Sequence, residues 1–75
     1  MLTQENIDAL IEKVQYAKLW EKTTVCLLTT KTGFEIVTSS SCINAEDYDE
    51  KIWSEIAYQR AVDKLWELEW YKNHL

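Results

Sequence analysis

The segment Thr23 to Cys42, TTVCLLTTKTGFEIVTSSSC, limits the possible folds more than any other stretch of the chain. Two β-prone apolar runs, Val25-Cys26-Leu27-Leu28 and Phe34-Glu35-Ile36-Val37, flank Thr32-Gly33. Gly33 is the single glycine of a sequence that contains no proline. A tight hairpin loop needs backbone at positive φ, which glycine adopts without a steric penalty. The segment is therefore expected to form a β-hairpin turning on the two residues Thr32-Gly33. That register sets Lys31 against Phe34, Thr29 against Ile36, Leu27 against Thr38 and Cys26 against Ser39. Alternation then places Val25, Leu27, Phe34 and Ile36 on one face. Cys26, Leu28 and Val37 fall on the other, with Glu35 and Ser39. Both faces are partly apolar, and an isolated two-stranded ribbon is barely stable. Helices must cover both faces, or a second copy of the chain must meet one of them.

The flanks read as helices. Thr3 is a good N-cap, with Glu5 and Asn6 in the first turn and Leu2 and Ile7 placed as a hydrophobic staple. Ile7, Leu10, Ile11, Val14 and Ala17 follow at helical spacing, which predicts a first helix reaching the connection at Glu21-Lys22. After Ser39-Ser40-Ser41, Asn44 is placed to cap a second helix, with Ile43 and Tyr48 as its staple. Tyr48, Ile52, Ile56, Val62 and Trp66 share one arc, widened by Tyr58 and Leu65. Trp53, Ala57 and Ala61 lie roughly opposite, where two small residues four apart suit the close approach of another helix. From Leu65 to Tyr71 apolar and acidic residues alternate, which reads as an apolar tail folded back over the core. The expected fold is α+β, one domain over residues 1–75: N-terminal helix, two-stranded antiparallel hairpin, long C-terminal helix, assembled as a homodimer or higher oligomer.

Size and charge narrow the function. Seventy-five residues bury a limited core, so four Trp, four Tyr and one Phe are a large aromatic share for packing or self-association. A net charge of −5 opposes direct nucleic-acid binding, which relies on Lys and Arg neutralising phosphates. It suits a basic protein partner, as well as plain solubility. The N-terminus lacks the basic start and apolar core of a signal peptide, and no apolar run is long enough to span a bilayer. The expectation is a protein of the cytoplasm with reduced thiols, bound neither to membrane nor to nucleic acid.

Catalytic chemistry has little to work with. The single histidine, His74, is next to last, where a general base cannot be positioned. Cys26 within a strand reads as a small buried hydrophobe, and Cys42 lacks a base partner. Neither zinc-type spacing nor a glycine-turned calcium loop is present, and one glycine cannot cradle phosphate. No enzyme activity and no cofactor are expected. A first docking surface comprises the acidic start of the second helix, Glu46, Asp47, Asp49 and Glu50, with Trp53, Tyr58 and Trp70. Acids there also serve the helix dipole. An alternative is a nucleotide-signal sequestering site in which Tyr58 stacks a base while Arg60 and Lys64 meet phosphate. A pair four apart on a helix is more often a solvated face. A structural component without any ligand is the third reading.

The run TVCLLTTKTGFEIVTSSSC, then Asn44-Ala45, Tyr48-Asp49, Ile56-Ala57 and Ala61-Val62-Asp63-Lys64-Leu65-Trp66, resembles a small phage and prophage family, that of the gene 49 and gene 66 products. The likeness runs without gaps from about Thr23 to Tyr71 and is loose over the first helix. Thr32 stands where the family has Asn, Trp53 where it has a small residue. Glu67 and Trp70 replace the proline and glycine that would break a helix. The resemblance implies a viral or prophage origin and carries no activity. Accessory phage proteins of this size often bind and disable a host protein, CRISPR and other defence components included. By that analogy the expected partner is a host protein, with self-association besides.

Overall fold

A computed structural model of the chain describes residues 2–19, 22–41 and 49–74. Among these, a short helix α1 (Gln4–Leu10) leads into strand β1 (Ile11–Leu19), followed by β2 (Thr23–Thr30), β3 (Glu35–Ser41) and the long helix α2 (Glu50–Lys72). The strands form an antiparallel sheet in the order β1-β2-β3, so the α+β class holds with three strands in place of the expected two. Helix α2 lies across β2 and β3 on one side of the sheet.

The start of α1 follows its sequence signals. Thr3 accepts from the Asn6 backbone N–H at 3.2 Å, and Asn6 Oδ1 accepts from the Thr3 N–H at 3.0 Å, a reciprocal capping box. The helix then stops at Leu10, not near residue 20. A third strand completes the ladder that a two-stranded ribbon leaves open, and this tertiary gain overrides helical periodicity. The spacing that suggested a helix has another cause. Between Ile11 and Lys13 the pairing with β2 shifts by one residue, from Ile11 opposite Thr30 to Lys13 opposite Thr29. This bulge at Glu12 lets Ile11 and Val14, three apart, both pack on the core.

The hairpin exists, with a different turn and register. Thr30 N–H donates to Phe34 O at 2.8 Å and Gly33 N–H to Thr30 O at 2.9 Å, closing a three-residue loop, Lys31-Thr32-Gly33. Gly33 has φ +88°, the left-handed residue that such a loop requires before the second strand. Its extra residue slips β3 by one against the expected register. Cys26 faces Thr38, Leu27 faces Val37 and Leu28 faces Ile36. A one-residue slip exchanges the faces of a strand. Ile36 is therefore buried beside Cys26 and Leu28, while Val37 points away from the helix and is 65% exposed. Among the described residues of the single chain only one sheet face is covered: α2 lies on the side of Cys26, Leu28 and Ile36, and Val37 on the opposite side is exposed.

Helix α2 begins at an Asp49 cap, whose side chain accepts from the backbone of Lys51 and Ile52. It continues through the expected fold-back tail to Lys72, as befits a segment of Leu, Glu, Trp and Lys without proline or glycine. Its buried residues are Ala57, Ala61, Val62 and Leu65. The two alanines, expected to admit a second helix, instead admit the sheet. With no bulk between them, the Thr38 hydroxyl donates to Ala57 O at 2.7 Å and the Ser40 hydroxyl to Trp53 O at 2.6 Å. Ile7, Cys26, Leu28 and Ile36 complete the core. No helix among the described residues is long and apolar enough to cross a membrane.

Candidate protein-docking surfaces

The expected site residues fall in separate places. Glu46 and Asp47, like Cys42, Asn44 and Tyr48, lie outside the described residues. Asp49 is committed to its capping bonds, and Glu50 is exposed in the first turn of α2. Trp53 is half-buried, and its carbonyl is engaged by Ser40. Tyr58 is no exposed anchor: it packs against the core towards β1. Burial holds its hydroxyl pKa above the usual phenol range, with Asp8 and Cys26 adding to the effect. Tyr16 is raised likewise by burial and then by Cys26, Tyr58 and Glu55, which places these groups in one neighbourhood. Burial pushes the Cys26 thiol up too, against the lowering hydrogen bond with Thr38. With its side chain fully buried, Cys26 packs in the core as a small hydrophobe.

Arg60 and Lys64 occupy the opposite flank of α2, along β3. The Arg60 guanidinium donates to Ser39 O at 2.7 Å, and Lys64 pairs with Glu67 at 3.8 Å. Because Phe34 O receives the Thr30 N–H, even-numbered residues of β3 direct their backbone at β2 and Ser39 directs its carbonyl outward. Arg60 thus occupies a hydrogen-bonding position on an open sheet edge, a common way of blunting an edge against unwanted pairing. Tyr58, Arg60 and Lys64, expected to converge on a nucleotide, do not meet.

Exposed apolar side chains gather at several places among the described residues, and two of them are candidate docking surfaces. The first is at the end of α2, where Leu68, Trp70 and Tyr71 are exposed. A groove beside it is lined by Leu2, Asn6, Trp66, Trp70, Asn73 and His74. Its walls are fixed by local contacts. Trp66 Nε1 donates to Gln4 Oε1 at 3.1 Å, tying α1 to α2. The Trp70 and His74 rings stack with centroids 4.0 Å apart, and His74 Nδ1 lies 2.6 Å from Trp70 O. Among the described residues, Trp70 alone of the expected anchors is exposed in such a setting. The second surface is the open face of the sheet, where Gln15, Ala17, Val25, Leu27 and Val37 line a shallow depression.

The phage protein family described by the N4 Gp49 and phage Sf6 gene 66 products matches residues 2–74. The chain belongs to this family. No curated protein and no solved structure matches the chain. Membership in the Gp49/gene 66 family extends the likeness through α1 and β1, the part where the sequence resemblance is loose. Glu67 and Trp70 both lie inside α2, which continues unbroken to Lys72.

Neither surface was legible as such. The open sheet face follows from the register, which depends on a loop one residue longer than expected. The groove pairs Leu2 and Asn6 with Trp66 and Trp70, residues far apart in the chain. A usable signal was present in Trp70, a large aromatic residue opposite the arc of Ala57, Ala61, Leu65 and Leu68.

Proposed function

We propose that this phage-family protein acts by binding a host protein in the cytoplasm and blocking its surface, not by catalysis. The observation that supports the reading is the aromatic end of α2: Trp70 and Tyr71 are 57% and 65% exposed, beside a ready-made groove. Large aromatics at low conformational-entropy cost are the usual anchors of protein interfaces. A regular helix presents them pre-organised, which limits the ordering cost of association. The net charge of −5 favours a partner with a basic surface, which speeds encounter more than it tightens the complex. Inhibition of a defence component such as a CRISPR effector is one outcome of such binding.

The test is affinity capture from host lysate with the wild-type chain and with Trp70→Ala/Tyr71→Ala. A stoichiometric partner retained by the first and lost by the second, at unchanged melting temperature, is the expected result. Equal capture by both moves the site away from α2. Failure of the wild-type chain to retain any host protein across salt conditions removes the proposal.

A further inference from the structure

The open face of the sheet has a charge pattern that matches its own two-fold image. Cross-strand rows run over the three strands as Lys13–Thr29–Glu35, Gln15–Leu27–Val37 and Ala17–Val25–Ser39. The middle of the face is apolar, with Leu27 and Val25 on the central strand. One row carries a cation at the β1 corner and an anion at the β3 corner. The ion pairs formed among the described residues, Lys64–Glu67 and Lys72–Glu69, involve neither of them.

We propose that a second copy of the chain covers this face, about a two-fold axis parallel to β2. Such an axis exchanges β1 with β3 across the interface while keeping the level along the strands. Lys13 then stands over Glu35 of the second copy, and Glu35 over its Lys13. Leu27 and Val25 meet their own counterparts, and Val37 covers Gln15. The alternative in-plane axis, perpendicular to the strands, stacks β1 on β1 with reversed level and forms neither ion pair. Paired sheets pack about 10 Å apart with strands aligned to within about 30°, a gap that a lysine and a glutamate side chain bridge together.

The footprint sets the strength. Three strands about 4.8 Å apart and three rows covering about 17 Å of strand give roughly 240 Å² on each copy. A standard stable interface buries about 800 Å² on each side. The association is therefore weak and concentration-dependent, visible between about 10 μM and 1 mM. It covers a different surface from the aromatic end of α2, so dimerisation and host binding are independent of one another.

Sedimentation velocity over that concentration range tests the assignment, reading the passage from a mass of 8.9 kDa to twice that value. Val37→Asp, at an exposed position, is expected to abolish dimerisation while leaving the circular dichroism spectrum unchanged. Lys13→Glu and Glu35→Lys each set like charges opposite one another twice per dimer and weaken it about tenfold or more. An equimolar mixture of the two single variants restores both pairs and the dimer. The double variant Lys13→Glu/Glu35→Lys does the same at the wild-type net charge. A wild-type chain that stays monomeric throughout overturns the proposal. So does a dimer indifferent to Val37→Asp, or single variants that neither weaken association alone nor recover it when mixed.

Discussion

Several individual residues have roles that can be measured. Gly33 has φ +88° with nothing near a Cβ built upon it, so Gly33→Ala meets backbone strain and no clash. The expected loss is about 1–2 kcal/mol by urea denaturation, and less for Gly33→Asn, which tolerates the left-handed region. Ala57 and Ala61 are fully buried against β3. Ala57→Leu should cost about 1–3 kcal/mol by overpacking, and more if it parts the Thr38 hydroxyl from the helix carbonyl. Cys26, Tyr16 and Tyr58 all have raised folded-state pKa values, from burial above all. Their charged forms are disfavoured in the native state, so native protein holds more protons than unfolded protein at alkaline pH. Stability is then full below the unfolded thiol and phenol pKa values, about 8.5 and 10, and declines as pH rises through them. Urea midpoints at pH 7, 9 and 10.5 should fall in that order, with the first decrease suppressed by Cys26→Ser. At this scale much was legible: the Thr3 cap, the need for Gly33, and Cys26 as a buried hydrophobe. The role of Ala57 and Ala61 was half-visible, since smallness signals close approach without saying what approaches.

At the scale of elements, β1 is the part that sequence patterning misassigned. Ile7, Leu10, Ile11 and Val14 fit one helical stripe, and each of them packs in the core. Yet a bulge at Glu12 makes a three-residue step in a strand look like a helical one. The alternation of Val14 and Tyr16 with Gln15 and Ala17 was the weaker local signal, and pairing with β2 decided between the two. Hydrogen exchange separates them directly. Lys13, Gln15 and Ala17 direct their amides at β2, whereas Val14 and Tyr16 direct theirs outward. The first set should be protected and the second should exchange rapidly, a period-two pattern that no helix produces. The β3 edge offers a second check. Arg60→Ala removes the donor to Ser39 O and should cost about 0.5–1.5 kcal/mol, with faster exchange and greater aggregation at high protein concentration.

For the whole molecule, the general plan of α+β with a long final helix was readable, while the third strand and the open sheet face were not. The plan rests on caps, periodicity and a glycine, all local. The face depends on register, which is set by one extra residue in a loop and propagates along all of β3. Among the described residues a dry core thus stands beside apolar exteriors that include a sheet face and a helix end. If the second serves a partner, Trp70→Ala/Tyr71→Ala should leave the melting temperature within about 2 °C of wild type, because exposed side chains contribute little to folding. Differential scanning fluorimetry reads this, and a larger fall would assign the pair to the fold instead.

The two hydroxyls that reach the α2 backbone have a mechanical consequence. Ser40 and Thr38 are two residues apart on a strand, and their acceptors, Trp53 and Ala57, are four apart on a helix. Those separations are nearly equal in length, about 6.6 Å and 6.0 Å. The pair therefore works like two teeth of a rack meshed with a matching gear. Sliding the helix by part of a turn parts both hydroxyls from their carbonyls together, so the two bonds resist small shifts of α2 along the hairpin and hold the last tryptophan at a set distance from its tip without a covalent tie.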